Sequence, residues 1–149
     1  MPKIELQEEL LNTFRRLAKI NIGDLFKDIS REGYFMLEMI GKYTEENLEK
    51  KGICVSELAE NLLVTSPAVS RMLRMLEKKN LIIRMVNEDN RRNTLVLLTE
   101  EGKEVRNRTR KQLNEFSGKV TAHIGTDDMK TLLTLWNELA DAVETELKA

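Results

Sequence analysis

The sequence predicts a mainly α fold with one small β hairpin. Apolar residues recur every three or four positions over most of its 149 residues. Two aliphatic runs, residues 81–86 and 94–98, flank a wholly polar stretch, as the arms of a hairpin flank its tip. With 33% charged, 5% aromatic and 41% hydrophobic residues, the composition suits a soluble helical protein and argues against disorder. The length allows one domain with a real core.

The elements follow in order. Leu6, Leu10, Phe14 and Leu17 make residues 4–21 an amphipathic helix. After a break at Asn21-Ile22-Gly23-Asp24, a second helix runs from Ser30 to about Leu48. Tyr34, Leu37, Met39, Ile40 and Tyr43 form its apolar face, and Lys51-Gly52 is its expected stop. Ile53-Cys54-Val55 is β-prone and long enough for one edge strand. Ser56 is the expected N-cap of a short helix whose buried side is Leu58, Leu62 and Leu63. Ser66 is the expected cap of the next helix, with Pro67 at the first helical position. Thr99 caps a helix carrying Lys103, Arg106, Arg108, Arg110 and Lys111. Gly125 ends it, and Thr126 with Asp127 and Asp128 starts the last helix. Leu132, Leu135, Trp136, Leu139, Val143 and Leu147 form that helix's stripe.

The helix after Ser66 carries the most information. At 100° per residue, Val69, Met72, Leu73 and Leu76 share one sector. Pro67, Arg71, Arg74 and Lys78 lie opposite, with Ser70 on the flank. A helix docked by one side that offers Arg and Ser from the other suits the major groove of DNA. The net charge of −1 conceals a split. Residues 1–64 carry a net −3, residues 65–111 a net +6 and residues 112–149 a net −4. Positive charge concentrated on one region is the footprint of a polyanionic partner, although an ordinary solvated face gives the same count.

Helix, helix, strand, helix, helix, hairpin, helix, helix is the order of a winged helix-turn-helix set between helical ends. The chain resembles the MarR family of bacterial and archaeal transcription regulators at Val55-Ser56-Glu57-Leu58-Ala59 and along the helix from Ser66 through Asn80-Leu81-Ile82. The likeness continues through the wing Asn87-Glu88-Asp89-Asn90-Arg91-Arg92 into Leu95-Val96-Leu97-Leu98-Thr99-Glu100-Glu101-Gly102. The resemblance implies an obligate homodimer with interleaved first and last helices, a recognition helix in the major groove and a wing in the adjacent minor groove. By position it places Ser66, Pro67, Ala68, Ser70, Arg71 and Arg74 towards bases and phosphates, and Arg91 and Arg92 at the wing's contacts. The family's wing usually has Asp before the paired arginines; here Asn90 stands there, with Asp89 one earlier.

The expected organisation is therefore a DNA-binding lobe over 30–116, with recognition helix 66–79 and wing 82–98. Dimerisation helices lie in 1–29 and 117–149 and use Leu6, Leu10, Phe14, Leu17, Leu132, Trp136, Leu139 and Val143. The expected interface with double-stranded DNA comprises Ser56, Thr65, Ser66, Pro67, Ala68, Ser70, Arg71, Arg74, Lys78, Arg84, Arg91 and Arg92, on a palindromic operator with half-sites about one helical turn apart. The expected function is repression relieved by a small-molecule effector. The open alternative is a protein-interaction module of the same fold without specific DNA binding.

No enzyme chemistry is legible. There is one His, one Cys and no glycine-rich phosphate loop, so neither a catalytic constellation nor a metal or cofactor site is expected. One cysteine suits a reducing cytoplasm. Cys54, between apolar neighbours, reads as a buried inert thiol with a redox switch as the alternative. His123 reads as a surface or dimer-side residue. Met36, Met39, Met72, Met75 and Met85 read as core filler, with Met36 and Met39 as alternative lining of an effector pocket. No apolar run approaches the roughly 20 residues of a membrane span. The N-terminus, Met1-Pro2-Lys3-Ile4-Glu5, leads into an acidic amphipathic segment and lacks the apolar core of a signal peptide.

Overall fold

The computed structural model describes residues 3–62, 65–90 and 92–149, with side chains from residue 5 onwards. Six α-helices and three strands follow in order, with a short 3-10 turn at Gly23–Leu25. They are α1 (Lys3–Lys19), α2 (Arg31–Glu46), β1 (Ile53–Cys54), α3 (Val55–Leu62), α4 (Ser66–Lys78), β2 (Ile82–Val86), β3 (Thr94–Leu98), α5 (Glu100–Ile124) and α6 (Thr126–Lys148). The chain forms two compact units that divide within α5, Met1–Thr109 and Arg110–Ala149.

In the first unit the sheet is antiparallel, ordered β1-β3-β2. β2 and β3 pair from Ile82 opposite Leu98 to Val86 opposite Thr94. Two residues of β1, Ile53 and Cys54, pair with Val96 and Leu95 and add the third strand. Val55 is already helical, so the expected three-residue strand is shorter by one. The core is built by Tyr34, Met36, Leu37 and Ile40 of α2, Leu58 of α3, and Val69, Leu73 and Leu76 of α4. Ile53, Ile82, Leu95 and Val96 of the sheet and Val105 of α5 complete it.

Several helix ends differ from the sequence expectation, each for a local reason. Ser30 does cap α2, accepting a hydrogen bond from the Gly33 N–H at 3.1 Å. That helix stops at Glu46 because Asn47 takes over as C-cap, its amide donating to the Tyr43 carbonyl at 2.9 Å. Gly52 is used for close approach instead: a Cβ there would lie 2.6 Å from the Val96 carbonyl oxygen. Ser56 is inside the first turn of α3, which begins at Val55. Thr65, and not Ser66, caps α4: its hydroxyl accepts from the Ala68 N–H at 3.3 Å, which moves Pro67 to the second helical residue. Thr99 caps α5, accepting from the Gly102 N–H at 2.9 Å. Gly125, at φ 99°, is the N-cap of α6, and Thr126 is its first helical residue. Leu63 lies outside the described residues.

The methionine reading also changes. Met36 is fully buried, but Met75 and Met85 are 41% and 38% exposed and fill no core. Met39 and Met72 are half-buried. The α2 face therefore turns on Met36 and Leu37, with Tyr43 at its margin.

The exit from α4 is specific. Asn80 adopts φ 60°, and the Leu81 N–H bonds the Leu76 carbonyl at 3.0 Å, closing a Schellman turn on a buried leucine. The Asn80 carbonyl accepts from the Thr99 hydroxyl at 2.7 Å, and the Leu81 carbonyl from the Thr99 N–H at 3.0 Å. The end of α4 is thereby tied to the start of α5.

Arg106 is the least expected core residue. Sequence counts it among the basic residues of the middle segment; the structure leaves it 4% exposed. Its Nη1 donates to Glu45 Oε1 at 2.7 Å, and its Nε to Glu38 Oε1 at 3.3 Å. The Tyr34 hydroxyl donates to the same Glu38 oxygen at 3.1 Å. Gly41 makes room: a Cβ there would sit 2.5 Å from the guanidinium carbon. Arg108 is also taken up, 3.3 Å from Asp28. The second unit is the rest of α5 and all of α6, a helix with no buried residue. Among the described residues no helix is long and apolar enough to cross a membrane.

Removing one member of a buried ion pair typically costs ~3 kcal/mol or more. Arg106→Ala is therefore expected to lose about 3 kcal/mol in urea unfolding, and Glu45→Gln under about 1 kcal/mol because that side chain is 61% exposed. Equal, small losses would show that the buried guanidinium does not hold α2 to α5.

Candidate nucleic-acid interface

α4, the expected recognition helix, separates its faces as its sequence does. Val69, Leu73 and Leu76 are buried, while Ser66, Pro67, Arg71, Arg74 and Lys78 are exposed. Ala68 and Ser70 are half-buried on the flanks, and Met72 belongs to the inner side. Leu58 of α3 is fully buried, and α3 packs against α4. Docking by that apolar side forces Arg71 and Arg74 outward, because α-helical phase places them about half a turn away. Thr65 and Ser56, both exposed, lie in or beside the first turns of α4 and α3. Free N–H groups in a first turn favour an anion, and so does the helix dipole.

The wing is a hairpin with a polar tip. The Asn87 N–H bonds the Asn93 carbonyl at 3.1 Å and closes the loop. The Asn87 side chain accepts from the Asp89 N–H at 3.1 Å, and the Asn90 side chain from the Arg92 N–H at 3.2 Å. Both are Asx turns, which hold a backbone bend without glycine. Asn90 is thus the residue that shapes the turn into the arginine pair: an amide oxygen accepts that N–H as a carboxylate would, without adding negative charge beside the arginines. Arg92 is exposed; Arg91 lies outside the described residues.

Arg84 stands apart from the other expected DNA contacts: its side chain is only 27% exposed and turns onto α4. Its Nη2 donates to the Ser70 carbonyl at 3.5 Å, and its Nε lies 3.6 Å from Glu77 Oε2. Of the basic residues counted in the middle of the chain, Arg84, Arg106 and Arg108 therefore serve internal ion pairs. Periodicity could not reveal this for Arg84, which sits mid-strand; partners on the preceding helix decide its direction. For Arg106 a signal existed, since Gly41 and two glutamates lie along one face of α2.

Other expectations find their places. Leu6, Leu10, Phe14 and Leu17 on α1 are exposed, as are Leu132, Trp136 and Val143 on α6, with Leu139 half-buried. His123 is exposed. Met36 has no accessible surface. Met39 borders an open concavity with Phe35, Lys42, Ile53 and Leu62. Among the described residues no cluster of three or more His, Cys, Asp or Glu could hold a metal.

Cys54 is a free, half-buried thiol. Burial raises its pKa above the ordinary value, and the nearby Glu57 carboxylate adds to the rise. The thiolate is the reactive form, so the shift protects the thiol.

Residues 47–94 match the model of the MarR family. The HTH-type transcriptional regulator YdgJ of Bacillus subtilis is 30% identical over 81 residues, 54% of this chain and 49% of that protein. SarZ of Staphylococcus aureus, also an HTH-type transcriptional regulator, is 34% identical over 93 residues, 62% of this chain and 55% of SarZ. The chain spans about half the length of these relatives. Among solved structures, S. aureus MepR in complex with DNA superposes with a TM-score of 0.73 at 19% identity, covering 92% of this chain and 97% of that one. A MarR mutant from E. coli complexed with operator DNA gives 0.69 at 22% identity, covering 92% and 95%. At these identities the structures show the fold, a winged helix-turn-helix.

At pH 8 the Cys54 thiol is expected to react with iodoacetamide more slowly than free cysteine, with a rate that climbs to higher pH than the free thiol's. A rate matching free cysteine would remove the protection inferred from burial and Glu57.

Proposed function

We propose that this chain belongs to the MarR family and is a sequence-specific DNA-binding transcriptional regulator. In this reading it is not an enzyme, as the proteins it resembles are transcriptional regulators. One observation carries the reading: α4 buries Val69, Leu73 and Leu76 and leaves Arg71, Arg74 and Lys78 exposed on its other side. In the complexes named above, MepR is bound to DNA and MarR to operator DNA, which supports the same use here. In this reading Ser66, Pro67, Ala68, Ser70, Arg71 and Arg74 meet the major groove, with Ser56, Thr65 and Lys78 on phosphates. Arg91 and Arg92 reach the minor groove, where a narrow, strongly negative groove favours arginine.

The acting species is a homodimer in the cytoplasm, and the operator is an inverted repeat. Support comes from the terminal helices: Leu6 is 60% exposed and Leu135 56%, within apolar stripes on α1 and α6. Stripes of that size on terminal helices call for cover, and a second copy supplies the same stripes. Residues 1–29 and 117–149 thus form the dimerisation part, and 30–116 the DNA-binding lobe. The protein represses, and a small molecule that binds one spacing of the two lobes better than the other releases it. Of the two methionines considered for that pocket, only Met39 has surface to offer.

A bidentate arginine–guanine contact discriminates by about 1–3 kcal/mol. Arg71→Ala is expected to weaken binding to the selected operator roughly tenfold to hundredfold and to affect random duplex far less. Arg92→Ala is expected to flatten the dependence of log affinity on log salt by about one unit. Equal losses on both duplexes would make Arg71 a phosphate contact, and an unchanged slope would take Arg92 out of the interface.

A further inference from the structure

The geometry points to Arg84 as a positioning residue: it locks the wing to the recognition helix, and so governs how well the two meet one operator together. The inference rests on the DNA-binding reading above. Arg84 lies in the middle of β2, opposite Val96, where the ladder on β3 fixes its backbone. From there its side chain crosses to α4. It touches the helix at Ser70 and Glu77, seven residues or about two turns apart, so both belong to one stripe. That stripe lies beside Arg71 and Arg74, the residues assigned to the groove.

The contacts are of a kind that holds a distance. Nη2 donates to the Ser70 carbonyl at 3.5 Å, the outer limit for a hydrogen bond, and Nε faces Glu77 Oε2 at 3.6 Å. Nε is shielded from solvent and makes no hydrogen bond. An N–H group shielded in this way cannot turn to a phosphate without the side chain leaving its seat. Withdrawing the charge would leave Glu77 opposite an empty site and remove the link between helix and hairpin. The two reading elements must present their arginines to adjacent grooves at one fixed separation. A link at the base of the wing acts on that separation directly, while contributing no phosphate contact of its own.

The test uses the intact protein, a duplex that the wild type selects from a randomised library, and a shuffled duplex of the same composition. Arg84→Met is expected to lower the ratio of selected to shuffled affinity about tenfold. Its salt slope on the shuffled duplex should match the wild type's, because no phosphate contact is lost. Arg84→Lys should recover part of the ratio. Glu77→Gln, at an exposed position that tolerates change, should lower the ratio on its own. The Arg84→Met and Glu77→Gln double variant should be no worse than Arg84→Met, since both break one link. Thermal unfolding of each variant confirms that the lobe is folded, and Glu77→Gln carries the test if Arg84→Met does not fold. A slope lower by about one in Arg84→Met would make Arg84 a phosphate contact and overturn the positioning role. An unchanged ratio in folded variants would overturn it too. If the wild type selects no duplex, the DNA-binding reading fails and this inference fails with it; if it selects one and the variants are indifferent, only this inference fails.

Discussion

A buried guanidinium has to find carboxylates, and in the first unit that demand fixes how α2 and α5 meet. Arg106 is drawn to Glu38 and Glu45, and Gly41 leaves the space it occupies. An unpaired charge there would be costly, so register and approach of the two helices are set together. α2 lines the core under the sheet, and α5 begins at Thr99, whose hydroxyl is bonded to the end of α4. α4 is thus held by an apolar face below and a polar knot at its exit.

The same logic recurs at smaller scale. Arg84 ties the wing to α4, and Asn87 and Asn90 hold the wing tip in shape. Each uses a polar group where glycine or a hydrophobic contact is commoner, at Asn80 in the left-handed turn as well. Polar locks of this kind add modest stability but strong geometric preference. Under the proposed function, in which two elements meet two adjacent grooves, geometry is the quantity that matters.

The fold was largely legible because hydrophobic phase is a local property. Val69, Leu73 and Leu76 announced their burial by spacing alone, and the hairpin by two aliphatic runs. Helix ends were read less well: Ser66 was preferred to Thr65, and Thr126 to Gly125, because adjacent residues compete for one cap and only backbone geometry decides between them. Charged side chains were read worst. Arg71 and Arg74 are exposed as their phase requires, but Arg84 is claimed across a change from helix to strand, where one period no longer applies, and Arg106 by partners 61 or more positions away, outside any local window. The charge split therefore overstated the free positive charge of the middle segment.

The claim at the centre of this account is that two copies of the chain read one duplex by sequence. The most direct measurement is the mass and affinity of the wild-type complex on DNA from upstream of its own coding sequence, followed across salt concentrations beside a shuffled duplex. The account predicts two protomers per duplex, a preference of roughly a thousandfold or more for the specific site at physiological salt, and an affinity that falls steeply as salt rises. A single protomer on the duplex, or equal affinity for specific and shuffled DNA, would contradict it.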